Sequence, residues 1–144
     1  MEDNIDSIIE FSTDLSTAEA PVPIPGNTTY VGTIIEAKPK TGSTSGKRYI
    51  SVRIRIPVAE YPADYDPSHA PDGTDVTYMR LGAEDTLAHK YALRRFMEDV
   101  LQITPEKSSR LDLSNWLHRE VRVHIKHEVF DGITRAAIDK LEAV

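Results

Sequence analysis

The chain has 144 residues, a hydrophobic fraction of 40%, a charged fraction of 28%, no cysteine and a formal net charge of −6. That length suits one compact unit with an appended segment, and the composition is that of a globular chain. The missing cysteines exclude disulfides, thiolate nucleophiles and thiolate metal sites, and no apolar run nears the roughly 20 residues of a membrane span.

The charge is segregated. Six of the 23 acids (Glu2, Asp3, Asp6, Glu10, Asp14 and Glu19) lie in residues 1–29, which hold no Lys or Arg, so 17 acids face 17 bases over residues 30–144. Met1 precedes acids rather than a basic stretch and an apolar run, which argues against a signal peptide and for the cytoplasm. Among these acids, Ile5, Ile8 and Ile9 have helical spacing, so residues 1–20 read as a frayed arm or a short helix on docking. In Pro21-Val22-Pro23-Ile24-Pro25 the prolines exclude a helix and favour an extended spacer. Residues 1–25 are therefore assigned to an acidic arm and linker, and 26–144 to the folded domain.

The first strand is expected over Tyr30–Ala37, with Gly32 as its bulge or bend, followed by a polar, basic loop from Lys38 to Gly46. The segment Tyr49–Ile56 alternates strictly, with Ile50, Val52, Ile54 and Ile56 on the inner face and Tyr49, Ser51, Arg53 and Arg55 on the outer. From Lys38 to Ala59 there are six bases and no acid. An aromatic between guanidiniums on an exposed strand suits stacked bases and phosphates.

Pro57–Gly73 is a long irregular loop, whose Tyr61 and Tyr65 either close over a bound strand or pack the loop down. A third strand spans about Thr74–Leu81, in which either Val76, Tyr78 and Arg80 or Thr77, Met79 and Leu81 could face inward, and the first set is read as outward. A helix opens near Glu84-Asp85-Thr86 and carries Leu87, Leu93, Phe96, Met97, Val100 and Leu101 as its apolar stripe. Asp112–Leu117 is a helical turn bringing Trp116 to the core. The fourth strand, Glu120–His127, turns Val121, Val123 and Ile125 inward and Arg122, His124 and Lys126 outward. Phe130-Asp131-Gly132 turns the chain into a fifth strand, Ile133–Ile138.

Five strands with one helix between the third and fourth is the order of the OB-fold, a five-stranded, partly open barrel whose strand 2–3 face and 1–2 and 4–5 loops bind oligonucleotides. The fold class expected is all-β with one helix. The candidate nucleic-acid-binding residues are Lys38, Lys40, Lys47, Arg48, Tyr49, Arg53, Arg55, Tyr78, Arg80, Arg122 and Lys126.

No catalytic arrangement accompanies them. His124 and His127, three apart on a strand, point to opposite faces. Gly42–Lys47 lacks the spacing and following helix of a phosphate loop. The chain reads as a non-enzyme without metal or cofactor.

The segments Tyr30-Val31-Gly32-Thr33-Ile34, Lys38–Gly46, Tyr49–Ile56, Tyr91–Leu101, Leu113-Ser114-Asn115-Trp116-Leu117 and Val121-Arg122-Val123 resemble the phage single-stranded DNA-binding proteins of OB-fold type. The resemblance covers roughly residues 24–140. It implies sequence-tolerant binding and protection of single-stranded DNA in phage replication or recombination, in the host cytoplasm. Such proteins carry an acidic C-terminal tail for partner proteins, whereas here the acids are N-terminal. The arm is thus a candidate for contacting replication or recombination proteins or for occupying the basic groove. The rival expectation is a non-catalytic interaction or virion module on the same barrel. Homo-oligomerisation is compatible with both.

Overall fold

A computed structural model describes residues 7–144. It is mostly β, with strands β1 (Thr28–Thr41), β2 (Arg48–Ile56), β3 (Thr74–Gly82), β4 (Glu120–Phe130) and β5 (Ile133–Glu142), and helix α1 (Leu87–Asp99) between β3 and β4. The strands form one antiparallel sheet in the order β3-β2-β1-β4-β5. Strand pairing does not close it, and β3 and β5 are its two edges. Among the described residues, no helix is long and apolar enough to cross a membrane.

β1 is longer than expected and serves two neighbours. Its first half pairs with β4, its second with β2, and Thr33 faces both Glu120 and Arg55. The register slips between Ile34 and Glu36, so the bulge falls at Ile35, not at Gly32. Gly32 has a different task. A Cβ there would stand 2.5 Å from Ile54 Cγ2 and 3.3 Å from the Arg55 carbonyl, so its hydrogen is what lets the strands approach. Gly32→Ala is expected to destabilise the protein by about 1–3 kcal/mol through overpacking, read as a lowered midpoint in chemical denaturation. An unchanged midpoint would mean that Ile54 moves aside freely.

Lys38 and Lys40 lie on β1 rather than in a loop, and the tip shrinks to Gly42–Lys47, closed by the Gly42 N–H to the Lys47 carbonyl at 2.9 Å. Pro39 is tolerated because β1 beyond Thr33 pairs with β2 alone, so one of its backbone edges is free.

On β2 the alternation holds, with Ile50, Val52, Ile54 and Ile56 all buried. Ser51 departs from it and is 3% exposed. Opposite it β3 slips by one residue, since Val52 pairs with Tyr78 and Ile50 with Leu81. The slip corrects the reading of β3. Val76 is buried and Tyr78 packs on the core, and beyond the irregularity Leu81 points inward, so neither alternating set holds throughout.

In α1 the Thr86 side chain accepts the His89 N–H, which makes Leu87 the first helical residue and leaves it 86% exposed rather than in the stripe. Phe96, Met97 and Leu101 are buried, and Leu93 and Val100 flank them. Trp116 is fully buried on its turn, beside Phe96 at 5.4 Å between ring centroids. At the β4–β5 turn Asp131 and Gly132 both have positive φ, +52° and +75°, the pairing of a two-residue I′ turn.

The long loop packs down. Tyr65 is buried, Tyr61 meets it edge-to-face at 5.1 Å, and the Tyr61 hydroxyl donates to the Ala70 carbonyl at 2.8 Å. The expected spacer is also docked. Ile24 is a fully buried core residue, and side chains from three elements hold its neighbours. His69 Nδ1 accepts the Val22 N–H at 3.0 Å, and the Tyr65 hydroxyl donates to the Val22 carbonyl. Tyr30 donates to the Pro25 carbonyl at 2.9 Å, and His127 Nε2 lies 2.8 Å from the Ile24 carbonyl. Residues 8–20 are exposed, with a short turn at Leu15–Thr17 capped by Asp14. Ile5 and its place in a docking helix lie outside the described residues.

Candidate nucleic-acid interface

Strand pairing brings Lys38, Lys40, Arg53 and Arg55 of the β1–β2 hairpin onto one face with Tyr49, and brings acids with them. Lys40 stands opposite Tyr49, Lys38 opposite Ser51 and Glu36 opposite Arg53. From β3, Asp75 stands opposite Arg55 and Thr77 opposite Arg53. The span free of acids in sequence is therefore not free of them in space.

The cations differ in how far they are committed. Arg55 is held most firmly, by two hydrogen bonds to the Asp75 carboxylate at 2.7 and 3.0 Å. These bonds, with the carboxylate's charge, raise the guanidinium's pKa above its ordinary value. Arg48 donates from Nε to the Ala83 carbonyl at 2.7 Å, and its backbone N–H reaches the Glu84 carboxylate at 2.8 Å. Glu36 is shared, 3.4 Å from Lys38 and 3.9 Å from Arg53. Both bases are about half exposed, so the arrangement is worth at most about 1 kcal/mol and a phosphate can replace it. Lys40 and Lys47 are exposed and form no ion pair among the described residues. Uncompensated positive charge thus collects toward the hairpin tip, with the half-buried Tyr49 beside it.

The remaining predicted residues are elsewhere. Tyr78, read as outward, stacks on Phe96 with ring centroids 5.9 Å apart and planes 17° apart, which makes it part of the core. Arg80 lies over the Tyr78 ring at 5.2 Å and donates to the backbone carbonyls of Ile138 and Asp139 on β5. Its guanidinium spans the two open edges of the sheet. Arg122 faces Val31 on the first half of β1 and Glu142 on β5, while Lys126 lies 3.4 Å from Glu128. Because Arg122 flanks the half of β1 that β2 does not pair, and Lys126 lies beyond the last β1–β4 pair, Thr28 with Ile125, these two bases do not join the hairpin cluster.

Four of the five histidines, His69, His89, His124 and His127, serve backbone or acid partners. His124 contacts Glu142, whose carboxyl is held below its usual range chiefly by that hydrogen bond. His89 Nδ1 accepts the Glu84 N–H at 2.9 Å. Among the described residues no cluster of His, Asp and Glu has the geometry to hold a metal ion.

Two features escaped the sequence reading. One is the set of side chains gripping residues 22–25, drawn from positions up to 103 residues away from the residues they hold and so without a local signature. The other is the β4–β5 hairpin, where Val129, Phe130 and Ile133 are exposed and the Arg135 guanidinium lies 4.5 Å from the Phe130 ring centroid. Its signal was the apolar pair Val129-Phe130 running up to a turn instead of alternating. Beside its turn an open groove of about 390 Å³ lies between the first residues of β3 and β5, lined among others by Thr74, Asp75, Ile133 and Arg135, with Pro21–Pro23 along it. Compared with known proteins, the chain matches no protein-family model and no curated protein sequence.

Proposed function

We propose that this chain is an OB-type barrel that binds single-stranded DNA without strong sequence preference, in the manner of the phage proteins it resembles. The observation that carries the reading is the β1–β2 hairpin, on which Lys40 and Lys47 are uncompensated, Lys38 and Arg53 are weakly shared, and Tyr49 lies among them. A line of cations follows a phosphate backbone, and an aromatic adds roughly 1–3 kcal/mol per stacked base. The strand order with its helix between β3 and β4, and the Arg80 bridge from β3 to β5, support the barrel. The expected setting is phage replication or recombination in the host cytoplasm.

The test is fluorescence anisotropy of labelled oligo-dT at low and moderate salt. Binding should be saturable and weaken with salt. Lys40→Ala/Lys47→Ala should weaken it at low salt and flatten the log–log salt slope by roughly 1.4, at about 0.7 per lost single-strand phosphate contact. Arg53→Ala should cost more affinity than Arg55→Ala, because Arg55 must first leave Asp75. Binding indifferent to salt and to the double substitution would defeat this reading.

A further inference from the structure

The outer face of the β1–β2 hairpin holds two acids against its bases, and they are held very differently. On β1, Glu36, Lys38 and Lys40 share this face and stand opposite Arg53, Ser51 and Tyr49 of β2. The Glu36 carboxylate lies between bases from both strands, 3.4 Å from Lys38 Nζ and 3.9 Å from Arg53 Nη2. Both separations exceed the roughly 2.7–2.9 Å of a charge-assisted hydrogen bond. Asp75 on β3 instead takes two hydrogen bonds from Arg55, at 2.7 and 3.0 Å. That is the bidentate form which makes such pairs strong. One acid rests loosely between two cations, and the other is locked onto one.

Resting on the single-stranded DNA reading, we infer that Glu36 holds a phosphate's place. A phosphate of the bound strand replaces its carboxylate between Lys38 and Arg53, while Asp75 closes the track at Arg55. Carboxylate and phosphodiester each bring one negative charge spread over two oxygens, so either can sit between an ammonium and a guanidinium fork. Lys38 and Arg53 are about half exposed, and ion pairs of that kind are weak, so little is lost when they change partner. The exchange leaves Glu36 unpaired beside an anion, and that repulsion limits the affinity. Arg55 would have to give up both hydrogen bonds to Asp75, so it stays out of the track. From Arg53 and Lys38 the strand runs toward the tip, past Tyr49 and Lys40, and Lys40 forms no ion pair among the described residues. The bases supply the attraction, and the two acids set where the track ends and how tightly it holds.

The test is anisotropy of labelled oligo-dT at several salt concentrations with Glu36→Gln, Asp75→Asn and a control, Glu128→Gln. Each removes one negative charge, and Glu128 is off this face, 3.4 Å from Lys126 on β4. Glu36→Gln should raise affinity about fivefold at low salt, the scale of an exposed ion pair. Its salt slope should equal that of the wild type, because the same phosphates are contacted. Asp75→Asn should steepen the log–log slope by about 0.7, because Arg55 is released to one further phosphate. Glu128→Gln should change affinity less than twofold. If the wild type binds and Lys40→Ala/Lys47→Ala weakens it, but Glu36→Gln matches the wild type, the phosphate site is overturned and the DNA reading stands. Equal gains from Glu36→Gln and Glu128→Gln would overturn the site as well, since net charge alone would explain them. An unchanged slope in Asp75→Asn would overturn the closing role of Asp75. No wild-type binding at low salt would remove the DNA reading and this site together.

Discussion

Arg80→Ala is expected to destabilise the protein by about 2 kcal/mol, although Arg80 is an exposed residue and substitutions at such positions are usually within about 0.5 kcal/mol. The reason is where its donors go. Nη1 reaches the Asp139 carbonyl at 2.9 Å and Nη2 the Ile138 carbonyl, so one planar group ties edge strand β3 to edge strand β5. Ile138 is buried, and a carbonyl there that loses a charged donor keeps its desolvation cost without compensation. The cation's position over Tyr78, which stacks on Phe96, extends the same tie into the core. Arg80→Lys should recover less than half of the loss, because a single ammonium cannot copy the fork. The measurement is chemical denaturation followed through Trp116, the one tryptophan, which sits against Phe96. Hydrogen exchange should also rise on β5 near Ile138. A neutral Arg80→Ala would mean that the two edges are held by other contacts.

Ile24→Ala is expected to cost more, about 3 kcal/mol, the middle of the range for a large aliphatic side chain removed from a packed core. That corresponds to roughly 10 °C in thermal midpoint for a chain of this size. Ile24 is fully buried among the core residues, while Val22, two positions earlier, is 53% exposed and held only through its backbone. Val22→Ala should therefore change stability by no more than about 0.5 kcal/mol. The pair separates side-chain burial from backbone anchoring in one short segment. If Ile24→Ala were as mild as Val22→Ala, the segment would not be docked in solution.

Much of the fold was legible because it rests on short-range patterns. The alternation of Ile50, Val52, Ile54 and Ile56 is period two, and a side chain on a strand has only two directions to take. The helical spacing of Phe96, Met97, Val100 and Leu101 and the Asp131-Gly132 turn are equally local. The helix start was less legible. Thr86 as cap pushes Leu87 to the first position, on the solvent side, although its spacing fits the stripe. β3 was ambiguous for a physical reason, since the slip between Tyr78 and Leu81 changes the inward phase partway along the strand.

The candidate surface was legible in residue type and only partly in arrangement. The run of bases from Lys38 to Arg55 is a property of the chain; its pairing with Glu36 and Asp75 is a property of the sheet register. The same register sends Arg122 to the other half of β1 and leaves Lys126 beyond the last β1 pair, opposite Ala137 on β5.

By itself, the sequence determined that five segments are strands, which faces of β2 and β4 are apolar, that a helix lies between β3 and β4, where the last turn falls, that residues 1–29 carry acids and no base, and that bases crowd one hairpin. These follow from covalent spacing and side-chain chemistry within a few residues. Only the tertiary structure decided that Ile24 belongs to the core, that Arg80 bridges the sheet's edges, that Arg55 is committed to Asp75 and that Lys40 and Lys47 pair with no acid among the described residues. Each depends on which residues far apart in the chain become neighbours. That is settled by burial and hydrogen bonding summed over the whole fold, which no local pattern encodes.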